Sequence, residues 1–222
     1  MKLFSHLEPH THPLFFLLLT FIGGFVDSSS FVIFGVFTGH LTGNSVLSMI
    51  YISQMNWNML FISIVSICGV FLGTLSGSYI RTKTASLLAY SLIISFEFIL
   101  FAIVFSLYFF LPAFYSMNIA VFLISLSMGL QNGFFNKVGS VSIHSTYITG
   151  MTTSWIGTII KRNENGDIQR ITLFLFIISF IIGALAGGFL SVNYHFLGFS
   201  SVIALLLIAL IYSLLINKKR SL

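Results

Sequence analysis

The feature that most constrains this chain is a series of six apolar runs, at residues 14–36, 58–80, 86–111, 115–136, 171–192 and 197–216. Each is close to the roughly 20 residues a helix needs to cross the hydrocarbon core of a bilayer. Inside lipid, backbone N–H and C=O groups must be bonded within the segment, so runs of this length predict helices. Charge agrees with that reading. Only 7% of the 222 residues are charged and 57% are hydrophobic, against about 25% charged in a typical soluble domain. The chain therefore reads as an all-α integral membrane protein whose first partner is the lipid bilayer. Its polar start, MKLFSHLEPHTH, holds one strong cation, Lys2. No A-x-A cleavage signal follows the first run, which predicts a retained span and not a cleaved leader.

Ten Lys and Arg against five Asp and Glu give a net charge of +5. In a soluble protein that balance suggests nucleic acid, but here the cations sit between apolar runs, where they set orientation. With the N-terminus in the cytoplasm, Arg81 and Lys83, then Lys161, Arg162 and Arg170, then Lys218, Lys219 and Arg220 all fall inside. The outside connections, near 38–57, 112–115 and 193–196, hold no Lys or Arg. Both termini are thus expected in the cytoplasm. Two shorter runs, 43–54 and 146–160, follow the first and fourth spans and are rich in Ser, Thr and Gly. Counting 43–54 as a crossing would put Arg81 and Lys83 outside, so these runs read as broken or re-entrant segments. The lone cysteine, Cys68, excludes an intrachain disulfide and a Cys-based zinc site, and reads as core filler.

The chain also resembles itself. Gly24-Phe-Val-Asp27 aligns with Gly129-Leu-Gln131-Asn132, placing Gly24 on Gly129 and Asp27 on Asn132. Thr42-Gly43 aligns with Thr149-Gly150, and FLGTLSGSYI at 71–80 with IIGALAGGFL at 181–190. The copies keep the same order. Three spans per copy is an odd number, so the second copy enters the membrane from the opposite side. The expected architecture is six transmembrane helices in two inverted three-helix repeats, 14–111 and 112–217, with a cytoplasmic tail at 1–13 and a basic one at 218–222. Inverted repeats recur in transporters, whose sites lie where interrupted helices meet near the midplane. The glycine ladder Gly69, Gly73 and Gly77, echoed by Gly183 and Gly187, predicts close helix packing.

Polar residues inside so apolar a chain mark the candidate site. Thr38, His40, Thr42, Gly43 and Asn44 interrupt the helical run with hydroxyl, imidazole and amide groups. Irregular backbone at that depth must be buried in protein or line a wet cavity. Gly43 is expected to free the backbone and Asn44 to cap the helix that follows, whose positive end would attract an anionic group. Asp27 and Glu97 lie within spans. A carboxylate there costs at least about 2.5 kcal/mol unless it faces protein or water, so both are candidates for coupling to a proton or cation. Gln131, Asn132 and Asn136 are placed at helical spacing on one face, with Thr149 and Gly150 in the second broken segment. His6, His10 and His12 read as tail residues, His144 as part of the second break and Lys137 as an interfacial anchor. No metal or cofactor site stands out, and no G-x-S-x-G, H-E-x-x-H or Walker loop supports an enzyme. Nothing reads as a nucleic-acid recognition element.

These motifs resemble the bacterial YoaK family, a membrane family of unknown function. The resemblance rests on Gly24-Phe-Val-Asp27, on Phe37-Thr-Gly-His40-Leu-Thr42-Gly43-Asn44, and on Gly129-Leu-Gln131-Asn132 followed by Thr149-Gly150. It departs from the family pattern at Met151, where a second Asn would complete the repeat, and at Lys137, near which an arginine is expected. It implies a six-span protein of the bacterial inner membrane and no particular substrate. The functional expectation is a small secondary transporter or permease in which a polar solute meets Asp27, Thr38, His40, Thr42, Gly43, Asn44, Gln131, Asn132, Thr149 and Gly150. The alternatives are a channel with inverted halves and a non-transporting scaffold. So thin a bundle is also expected to form a homodimer.

Overall fold

The computed structural model describes residues 12–84, 86–112, 115–138, 141–142, 148–160 and 166–220. His6, His10, His144, Lys161 and Arg162 lie outside them. Among the described residues eight helices follow one another: α1 (Pro13–Phe34), α2 (Leu41–Ser53), α3 (Trp57–Lys83), α4 (Leu87–Phe110), α5 (Met117–Phe134), α6 (Ile148–Ile160), α7 (Gly166–Ser200) and α8 (Val202–Arg220). Between α5 and α6, Lys137–Val138 and Val141–Ser142 form a two-residue antiparallel ladder, which the sequence does not announce.

Local chemistry sets the helix ends. Pro13 opens α1, where its fixed φ suits the first turn and its missing N–H costs nothing. Gly35 closes α1 in the left-handed region, φ 71°, and its N–H returns to the Phe31 carbonyl. Asn56 caps α3 by accepting from the Met59 N–H, and Ser86 caps α4 by accepting from the Ala89 N–H.

Among the described residues, five helical stretches are long and apolar enough to span a bilayer: Pro13–Phe34, Trp57–Lys83, Leu87–Phe110, Met117–Phe134 and Gln169–Ser200. The apolar part of α8, Val202–Asn217, is shorter. The long fifth stretch is broken inside: His195 has φ 51°. Beyond it, Gly198 comes so close to the Leu190 carbonyl that a Cβ would collide with it, as a chain reversal requires.

The packing is specific. α3 lies along α5 and α1 along α7; α2 rests on α3 and α6 on α7; α4 packs on α5 and α8 on α1; and α4 meets α8. Glycines let the first two pairs approach backbone to backbone. A Cβ on Gly73 would strike the Leu126 carbonyl, one on Gly77 that of Leu130, and one on Gly129 that of Val70. In the other pair, Gly24 meets the Phe180 carbonyl, Gly183 that of Phe21 and Gly187 that of Phe25. Numbers rise together in both pairs, so α3 runs parallel to α5 and α1 to α7. α1 and α5 are antiparallel, since Phe15 and Phe16 at the start of α1 pack on Phe135 just past the end of α5. These two are the most buried helices.

Core aromatics gather at the two ends of the bundle. Phe15, Phe16, Tyr90, Phe134, Phe135 and Tyr212 cluster at one end, and Phe34, Phe101, Phe105, Phe196 and Phe199 at the other. Outward, Phe61, Phe71, Leu75, Leu92, Leu185 and Phe189 are exposed, an apolar belt far larger than water tolerates. Cys68 belongs to this outer surface and not to the core: its neighbour Gly69 takes the position facing α5. The ends of α3 (Arg81, Lys83), α5 (followed by Lys137) and α8 (Lys218, Lys219, Arg220) and the start of α7 (Arg170) all lie at the end of the bundle where α1 begins.

Candidate functional site

The chain between α1 and α2 leaves the helix at Gly35, and its buried backbone groups need partners. Two side chains supply them. Asp27, buried on α1, accepts from the Gly39 N–H at 2.6 Å through one carboxylate oxygen and meets His40 Nδ1 at 3.2 Å through the other. The hydrogen bond to Asp27 holds the His40 imidazole above its ordinary pKa, with burial opposing and the carboxylate charge adding to the rise. Asn44, fully buried, accepts from the Phe37 N–H at 2.9 Å, and its amide donates to the Phe37 carbonyl at 2.6 Å and to Ser66 Oγ at 2.9 Å. Ser66 donates to the same carbonyl at 2.6 Å, which leaves Ser125 as donor in their 2.8 Å contact. Thr38 pairs with Ser30 at 2.7 Å, and the Tyr51 hydroxyl donates to the Gly35 carbonyl at 2.7 Å. The result is a loop pinned at Gly35 and at each residue from Phe37 to His40.

Three expectations change. α2 begins at Leu41 with His40 at its N-cap, so Asn44 lies inside the first turn and reaches back to residue 37 instead of capping. Gly43 is needed for space: a Cβ there would lie 2.9 Å from the Phe37 ring. The anionic group at the entry of α2 is the chain's own Asp27. Thr42 points outward and exposed. The residues brought together are thus Asp27, Thr38, His40 and Asn44.

The second polar group lies elsewhere. Buried Gln131 donates to the Leu19 carbonyl at 3.2 Å. Leu19 precedes Asp27 by eight residues of α1, about 12 Å along the axis. Asn132 is half-buried beside Gln131. Asn136 lies beyond the end of α5 and donates to the Gly133 carbonyl, so it does not share a helix face with the other two. Thr149 is exposed and Gly150 half-buried in the first turn of α6, which packs on α7. In the place of Asn44 the second copy has Met151, buried and without polar reach. Among the described residues, the Asp–Asn clamp is found in the first copy only.

Glu97 stands apart from both groups. It is completely buried on α4, and neither carboxylate oxygen has a hydrogen-bond partner among the described residues. Along α4 it lies between Ser91, which contacts Ser213 of α8, and Phe101, which packs on Phe199 at the end of α7. No group of three or more His, Cys, Asp or Glu among the described residues is arranged to hold a metal.

The serines that receive the clamp are not among the residues that stand out in the sequence. Ser63 and Ser66 on α3 face inward three residues apart. Ser63 donates to the Asn44 carbonyl at 3.0 Å and contacts Ser48 at 2.9 Å. Their spacing within an apolar helix was the available signal.

A family described as "Protein of unknown function (DUF1275)" matches residues 15–214. The "UPF0700 transmembrane protein YoaK" of Bacillus subtilis (strain 168) is 32% identical, and the alignment covers 81% of this chain and 84% of that protein. No solved structure matches the chain.

Proposed function

Since the chain belongs to the DUF1275 family, to which the resemblance to YoaK also pointed, we propose that it is a small secondary transporter or permease for a polar solute. In this reading it lies in the bacterial inner membrane as six spans in two inverted halves, with both termini and the basic end of the bundle in the cytoplasm. The break at His195 supports the sixth span, because residues from Phe196 onward then extend the last helix.

The observation that carries the reading is the repeated register of the glycine contacts. Gly24 on Phe180 corresponds to Gly129 on Val70; Gly183 on Phe21 to Gly73 on Leu126; Gly187 on Phe25 to Gly77 on Leu130. The same alignment of the halves relates both members of each pair. The contact between Gly69 and Phe122 even has its counterpart in Ser179, which donates to the Leu17 carbonyl. Exchanging the halves leaves the helix pairing unchanged, and α1 is antiparallel to its counterpart α5. Inverted repeats of this kind place a solute route between the halves.

Asp27, Thr38, His40, Thr42, Gly43 and Asn44 then form a gate toward the outer side, held shut by the Asp27 and Asn44 bonds. Gln131, Asn132, Thr149 and Gly150 line the route at the opposite depth. The proposal includes a homodimer, to be tested by cross-linking in native membranes. Solute uptake into vesicles tests the function: Asp27→Asn and Asn44→Ala should change uptake or its coupling, and full transport in both variants removes the gate from the mechanism. Flux that fails to saturate would favour a channel. A non-transporting scaffold is the second reading, favoured by one observation: Asp27 and Asn44 already have protein partners. Correctly folded wild-type protein that moves no solute across a broad panel of metabolites would support it.

A further inference from the structure

Asp27 and Glu97 are both buried carboxyl groups, and the structure treats them differently. Asp27 holds a backbone N–H and an imidazole. Glu97 holds nothing: it is fully buried and both of its oxygens lack a partner among the described residues. A bare carboxylate in this position must take a compensating charge from somewhere.

The surroundings limit what that charge can be. On its own helix Glu97 is flanked by buried Ile93, Ile94, Leu100 and Phe101. α5 carries no ionisable side chain. α8 carries Tyr212 and the terminal Lys218, Lys219 and Arg220, and Tyr212 stacks on Phe15 at the basic end. The ionisable side chains of α4 itself, besides Glu97, are Tyr90, in that same aromatic cluster, and Tyr108, which stacks on Phe196 at the other end. α1 brings only Asp27, which is engaged. α7 meets α4 through Phe196 and Phe199 and carries Arg170, which donates to the Thr158 carbonyl of α6, and His195, next to Phe196 at the far end. Among the described residues, no cation of these helices therefore faces Glu97. A bound metal cation has a different requirement, several oxygen ligands in place of its water. The hydroxyls of the adjoining helices are mostly committed: Ser125 to Ser66, and Ser213 to Ser91 and the Leu210 carbonyl. Ser127, Ser29 on α1 and Ser191 on α7 are without a partner among the described residues, one hydroxyl on each of three helices and not a set of oxygens gathered on one cation. A proton needs no ligand beyond the carboxyl itself.

We propose that Glu97 is a proton-binding site at the centre of the bundle, and that its counter-charge is a proton and not a metal cation. This deepens the transport reading by naming the coupling ion, and only its coupling role rests on that reading. Asp27 is then a positioning residue that secures the loop before α2.

The test uses the full chain in proteoliposomes and dicyclohexylcarbodiimide, an apolar reagent that attacks protonated carboxyl groups. Peptide mass spectrometry should find Glu97 modified and Asp27 unmodified. Modification should fall about tenfold per pH unit once the carboxyl ionises, and replacing choline chloride with sodium or potassium chloride should leave it unchanged. Protection by either metal cation, or the absence of modification at Glu97 at any pH, overturns the proposal. Infrared spectroscopy gives a second measurement that needs no reagent access. A carboxylic-acid carbonyl band present in wild type and missing in Glu97→Gln supports the site, and identical spectra refute it. If Glu97 behaves as described while wild-type protein moves no solute, the transport reading falls and the proton site stands.

Discussion

Removing the Asn44 side chain is the sharpest test of how the first half is held. Asn44→Ala deletes three hydrogen bonds, from the Phe37 N–H, to the Phe37 carbonyl and to Ser66. The three losses are not equal. Ser66 still donates to the Phe37 carbonyl, so that acceptor stays satisfied. The Phe37 N–H is left without its acceptor, and an orphaned buried donor costs about 1–3 kcal/mol. Loss of the Ser66 contact adds about 0.6 kcal/mol, the average for side-chain bonds inside membranes. The total is about 1.6–3.6 kcal/mol, or roughly 3–14 °C in melting temperature for a chain of this size. Thermal unfolding in detergent measures it. The cycle with Ser66→Ala should show coupling of about 0.5–1.5 kcal/mol, because the two side chains share the Phe37 carbonyl. If Asn44→Ala melts with the wild type, or the two changes are simply additive, the loop is not held by this clamp.

Other outcomes follow from the same structure. Gly73→Ala and Gly183→Ala should destabilise by similar amounts, about 1–3 kcal/mol each, since each drives a methyl into a carbonyl at equivalent crossings; chemical denaturation in micelles would show whether the costs match. The Asp27–His40 bond raises the imidazole pKa, so its stabilisation is fully present below the unfolded value of about 6.5 and is lost as pH rises through the raised folded value. Melting curves across that window should show the loss, and Asp27→Asn should flatten it. Cys68, exposed on the outer face of α3, should react with an apolar maleimide in bilayers and resist a charged one, whereas protection from both would place it in an interface.

The helices and the glycine crossings were legible because apolar length and small-residue spacing are local properties of the sequence. α3 and α4 begin and end within a few residues of the runs that announced them. The polar residues were harder. Asp27 and Asn44 stood out by being rare in an apolar chain, but whether they face a solute or the chain's own backbone depends on where residues 35–40 fold. That is a tertiary matter, decided by partners such as Ser66, 22 residues beyond Asn44. The grouping of Gln131 with Asp27 failed for a related reason. α1 and α5 run antiparallel, so Gln131, near the end of α5, meets α1 at Leu19, eight residues before Asp27. Asn136 was lost from its helix face because α5 stops at Phe134, within the usual uncertainty of helix ends.

The strongest packing in this molecule runs across the sequence halves, since α1 embraces α7 and α3 embraces α5. Neither half is a mechanical unit. A peptide cut between α4 and α5 would leave both pieces missing the surface against which their main helix seats, and they would be expected to fold only when made together. Any rocking motion must leave those backbone-to-backbone seams intact. The moving blocks would then be hybrids, α1 with α6 and α7 against α2 with α3 and α5, sliding where α1 and α5 cross, while α4 and α8 bridge the two blocks as struts.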